Sequence, residues 1–134
     1  MTAYKVGYLI GSLAKGSINR KLAKALVNLA PAELSMAEIP FKDLPLYSYD
    51  FDVDFPPPAE AFKDALAAVE AVLFVTPEYN RSIPGGLKNA IDWGSRPYGK
   101  NSFTRKPSAV IGTSPGSIGT ALAQQHPVQT WPDH

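Results

Sequence analysis

Three runs along the chain are almost continuously apolar: Tyr4–Ile10 (YKVGYLI), residues 71–76 (AVLFVT) and residues 108–113 (SAVIGT). A fourth, weaker run lies at about residues 34–39. Runs without polar alternation are expected of strands covered on both faces. Helical spacing falls between them. Leu22, Leu26 and Leu29 follow i, i+4, i+7, and Phe62, Ala65, Leu66 and Val69 follow i, i+3, i+4, i+7. Leu87, Ala90 and Ile91 begin the same pattern, with Pro84 near the first turn, where proline is tolerated. Strand and helix alternate, which predicts an α/β chain built on a doubly wound parallel sheet.

Two stretches fall outside this alternation. Residues 40–58 (PFKDLPLYSYDFDVDFPPP) read as one long loop, and its aromatics Tyr47, Tyr49, Phe51 and Phe55 argue for an ordered, functional loop. At the other end, GTALAQQH starts as a helix that Pro127 and Pro132 are expected to break. No fifth strand follows. The expected organisation is one domain over residues 1–126 and an atypical tail over 127–134.

Composition narrows the function classes. A length of 134 residues suits one domain with a real core. The net charge of +1 gives no basic field for nucleic acid, and no apolar run reaches the roughly 20 residues of a membrane span. There is no cysteine, and no basic segment with a cleavage site precedes the first strand, so a cytoplasmic protein is expected. Asp50, Asp52 and Asp54 alternate without the glycine and closing glutamate of a calcium loop, and read as a solvated face. The two histidines, His126 and His134, lack metal-ligand companions, so no metal site is expected. Ser114 does not stand in a G-x-S-x-G elbow.

The chemistry begins at GSLAKGSIN, residues 11–19. Gly7 and Gly11 are too far apart for a dinucleotide fingerprint, and Ser17 stands where a P-loop requires lysine. What remains is a neutral loop opening a helix. Helix N-terminal N–H groups bind phosphate without a cation, and Ser12, Ser17 and Asn19 can add side-chain hydrogen bonds. The same residues serve a plain helix cap equally well. Position separates the two readings, because ligands of open α/β sheets sit beyond the strands' carboxyl ends at the switch point. The third strand ends in PEYNRSIPGG, offering Pro77, the Tyr79 ring and donors from Asn80 to Ser82; the fourth ends in SPGSIGT. One loop suited to a phosphate and two suited to a planar heterocycle favour flavin mononucleotide.

Three motifs, GSLAKGSINRKLA, TPEYNRSIPGGLKNAIDW and GTSPGSIGT, stand in the order and spacing of a known family. The chain resembles the NAD(P)H-dependent FMN reductases, a group that includes quinone, chromate and azo reductases. The resemblance implies a flavodoxin-like fold with non-covalent FMN, the fifth strand and last helix lacking. It implies phosphate contacts from Ser12, Ser17, Ile18 and Asn19, ring and ribityl contacts from Pro77, Glu78, Tyr79, Asn80 and Ser82, and closure by Ser114 and Gly116. Glu78 is expected in a structural role, and no side chain is assigned as catalytic acid or base. Where many relatives carry arginine this chain has Ala14, removing a charge-assisted contact worth roughly 1.5–3 kcal/mol. The implied activity is ping-pong hydride transfer from NADPH or NADH to a quinone or similar small acceptor. The alternatives are a flavodoxin-type electron carrier and a shortened form of impaired activity. A homodimer or homotetramer is implied, with Arg81, Trp93, Arg96 and Tyr98 as interface candidates.

Overall fold

A computed structural model describes residues 2–129 of the chain. The apolar runs become β1 (Tyr4–Ile10), β2 (Leu34–Glu38), β3 (Ala71–Val75) and β4 (Ser108–Ile111). They form one parallel sheet in the order β2-β1-β3-β4. The alternation of side chains across a strand divides the core into two layers. Leu9, Val72 and Phe74 face one side, against α2 (Pro57–Ala67) and α3 (Gly85–Ser95). Ile10, Leu73 and Val75 face the other, against Leu22, Ala23 and Leu26 of α1 (Ile18–Leu29).

The sheet edges stop slightly short of the expected strand ends, for a visible reason. Thr76 turns its hydroxyl onto the Pro77 carbonyl and sits between Gly11 of the β1 exit and Gly112 of the β4 exit. A β-carbon at either glycine would overlap Thr76. The three strand exits therefore meet at one threonine.

The 40–58 stretch is less of a loop than its composition suggests. It contains a 3-10 turn, Tyr49–Val53, and its final prolines start α2, where a missing N–H costs nothing. Its attachment is specific. The Pro45 carbonyl accepts hydrogen bonds from Asn89 Nδ2 (2.9 Å) and Trp93 Nε1 (2.7 Å), and the Tyr47 N–H donates to Asn89 Oδ1 (2.8 Å). The Trp93 ring is fully buried against Tyr47, Phe51 and Phe55, with centroids 5.1–5.5 Å apart. Asp52 is not the solvated carboxylate the sequence suggested: Tyr47 Oη donates to it at 2.8 Å and the Arg96 guanidinium pairs with it. Burial acts to raise the Asp52 carboxyl, but these two partners hold it below its ordinary range.

At the far end, a hydrogen-bonded turn over residues 117–124 leads into α4 (Gln125–Gln129). Pro127 does not break this helix, because it stands in the first turn, whose N–H groups have no intrahelical partner. Pro132 and His134, and the tail from residue 130 onward, lie outside the described residues. Among the described residues no fifth strand pairs with β4, no helix is long and apolar enough to cross a membrane, and no acidic, histidine and cysteine cluster could hold a metal ion.

Candidate functional site

At the carboxyl ends of β1, β3 and β4 lies a cavity of about 240 Å³. Ser12, Ser17, Ile18 and Asn19 line it from the first loop, Pro77, Glu78 and Tyr79 from the second, and Thr113, Ser114 and Pro115 from the third. The structure thus brings together most of the positions expected from sequence. Asn80, Ser82 and Gly116 stand outside the lining. Thr113 and Pro115 were missed by sequence reasoning, although they flank Ser114 in the same motif.

The first loop is shaped for an anion. Ser17 caps α1, its Oγ accepting the Arg20 N–H at 3.3 Å, while the hydroxyl proton remains available. Ser12 Oγ accepts the Ala14 N–H. Ile18 and Asn19 are the first two helical residues, so their N–H groups have no intrahelical acceptor. They point the positive end of the helix dipole at the cavity they line. Ala14 and Lys15 are exposed and outside the lining, and no cationic side chain lines the cavity. The Asn19 side chain is not free: Nδ2 donates to the Thr113 carbonyl (3.1 Å) and Oδ1 accepts the Thr113 N–H (2.9 Å).

The second loop is a tight hairpin. Tyr79 and Ser82 exchange backbone hydrogen bonds at 3.0 and 2.9 Å, and Asn80 and Arg81 between them have φ of 53° and 61°. Two left-handed central residues make this a type I′ turn. The Ser82 N–H is engaged inside the hairpin, which removes it from the donors expected from Asn80 to Ser82. Glu78 has a structural partner, as expected: its Oε2 accepts the N–H groups of Leu122 (3.0 Å) and Ala123 (3.2 Å). That carboxylate ties the second loop to the turn following the third.

The expected interface residues separate. Trp93 is core and Arg96 is engaged by Asp52 and stacked over the Tyr49 ring, 5.5 Å from its centroid. Arg81 and Tyr98 are exposed.

A parallel sheet in this order, with three strand-end loops framing a cavity at the switch point, defines a flavodoxin-like α/β protein. The model of the NADPH-dependent FMN reductases matches residues 4–132. The chain is 53% identical over 124 residues to a 2-hydroxy-1,4-benzoquinone reductase of Burkholderia sp, covering 92% of this chain and 68% of that protein. It is 53% identical over 117 residues to a quinone reductase of Pseudomonas putida, covering 87% of this chain and 63% of the relative. Among solved structures, the flavoenzyme NAD(P)H:(acceptor) oxidoreductase FerB of Paracoccus denitrificans superposes with a TM-score of 0.88 at 51% identity, covering 92% of this chain and 68% of that one. A WrbA-like flavodoxin from Agrobacterium tumefaciens shares the fold, at a TM-score of 0.64 and 22% identity, covering 95% of this chain and 71% of that one. The chain belongs to the NADPH-dependent FMN reductase family, and spans about two thirds of the length of the curated relatives it matches. Membership implies an oxidoreductase that uses FMN and NAD(P)H.

Proposed function

We propose that this chain carries the FMN site of a reductase that passes a hydride from NADPH or NADH to a quinone-class small molecule. The observation that supports it is the neutral anion cradle: the Ile18 and Asn19 N–H groups with the Ser12 and Ser17 hydroxyls, facing one cavity. A terminal phosphate monoester suits such donors, because backbone dipoles aimed at a helix start need no counter-cation. The cavity is smaller than the roughly 300–1,000 Å³ of sites that enclose a small ligand, so it would grip the tail and leave a ring face open.

Bound FMN would supply the hydride relay between nicotinamide and acceptor. The chain's own residues would orient it. Pro77 and the Tyr79 ring would flank the ring system, with Ser114 and Pro115 opposite and Gly116 beyond. The N–H groups of Asn80 and Arg81 would stabilise negative charge, with Ser82 holding their turn in shape. No side chain need move a proton. The relatives' quinone reductase names agree with this reading. A homodimer or homotetramer belongs to the same proposal, with exposed Tyr98 and Arg81 as its contact candidates.

Anaerobic mixing of FMN-loaded protein with NADPH or NADH tests the proposal. Rapid loss of flavin absorbance, restored by a benzoquinone, is the expected result. Flavin that binds but stays oxidised in excess nicotinamide would mark an electron carrier. Failure to retain FMN would refute the site.

A further inference from the structure

We propose that the Asn19 side chain is a positioning residue for the flavin ring and not a ligand of the flavin phosphate; the inference rests on the FMN reading above. Asn19 is 1% exposed, and both polar atoms of its carboxamide are committed to the backbone of Thr113, 94 residues away. Ladder pairing of β4 with β3 ends at Ile111, whose carbonyl accepts the Thr76 N–H. Thr113 therefore leaves the sheet with a donor and an acceptor that no strand pairs. The Asn19 amide supplies the missing partners, acting as one residue of surrogate strand. Buried backbone groups need such partners, so this pairing is a strong constraint on the chain path.

The constraint has a direction. Asn19 is the second residue of α1, next to the free N–H groups that face the cavity, while Thr113 opens the Ser114–Pro115 wall. One side chain thus sets the spacing between the phosphate end of the site and its ring-side wall. Gly112, at the root of the wall, packs so closely that a β-carbon there would overlap Thr76 and Thr120. Removing the amide leaves the phosphate donors in place and frees the wall to move. The loss then falls on the ring contacts.

Riboflavin, which lacks the phosphate, separates the two roles. Fluorescence-quenching titrations of wild type, Asn19→Ala and Ser17→Ala with FMN and with riboflavin give two affinities per protein. The expected result for Asn19→Ala is a similar weakening, on the order of tenfold, for both ligands, so that their ratio stays within about twofold of wild type. Ser17→Ala is expected to lower the ratio. Weakening confined to FMN in Asn19→Ala would make the side chain a phosphate ligand and overturn the inference, as would unchanged affinity for both. Wild-type protein that binds neither flavin would instead refute the flavin reading itself. Should Asn19→Ala fail to fold, wild-type protein answers through its NMR spectrum with inorganic phosphate. The Asn19 side-chain amide resonances are expected to stay fixed while the Ile18 backbone N–H shifts; movement of the side-chain amide would overturn the inference.

Discussion

Glu78 offers a sharp test of how the loops are held. Its Oε2 accepts two N–H groups, from Leu122 and Ala123, the latter fully buried. Hydrogen bonds to a charged acceptor are worth about 1.5–3 kcal/mol each, and partial exposure to water reduces the pair to about 2–3 kcal/mol in total. Glu78→Ala removes the acceptor and leaves both donors unpaired, so it should cost that amount. Glu78→Gln keeps an oxygen in the same position and loses only the charge, for about 1 kcal/mol. At roughly 3–5 °C per kcal/mol for a chain of this size, the melting midpoint should fall by about 6–15 °C for alanine and about 3–5 °C for glutamine. Thermal melts at pH 7, paired with hydrogen exchange at Leu122 and Ala123, measure both. Equal losses in the two variants, or unchanged protection of those amides in Glu78→Ala, would refute the capping role.

Other outcomes follow from the same geometry. Gly112→Ala should destabilise by about 1–3 kcal/mol, since its β-carbon meets the Thr76 carbonyl and the Thr120 side chain; denaturant titration gives the figure. Arg81→Gly should stabilise by about 1 kcal/mol, because glycine adopts the left-handed turn position that arginine occupies at a cost, and a higher melting midpoint would show it. Lys63 donates to the Gly94 and Lys100 carbonyls, and burial, assisted by the Lys100 charge, pushes its ammonium down to about 8. The unfolded chain then binds more protons than the folded one between about pH 8 and its ordinary value of 10.5, so this lysine makes stability rise with pH across that window. Denaturant titrations at pH 7.5 and 9.5 should show the wild-type gain exceeding that of Lys63→Met.

The strands were legible because β1, β3 and β4 carry long apolar runs, while β2, with four of its five residues exposed, gave only a weak signal. Their parallel direction and their shared carboxyl end follow from the alternation, so the cavity could be located before its walls were known. What periodicity cannot carry is a hydrogen bond between distant positions. The Asn19–Thr113 bracket, the Glu78 cap and the Pro45 anchor span 94, 44 to 45, and 44 to 48 residues. Asn19 was expected at the phosphate from its place in a motif, with no sign of its bracket to Thr113, and Trp93, an interface candidate by resemblance, is core. Asp52 looked solvated because its neighbours Asp50 and Asp54 share its pattern, whereas the fold brings only Asp52 to Arg96.

The central claim is that uncharged main-chain donors at the first turn of α1 hold the phosphate of the bound flavin. Titrating FMN into isotope-labelled protein and following the backbone amides tests it most directly. Saturable downfield shifts of the Ile18 and Asn19 N–H signals, larger with FMN than with riboflavin, are the predicted result. Signals that stay in place while FMN binds elsewhere on the chain would contradict it.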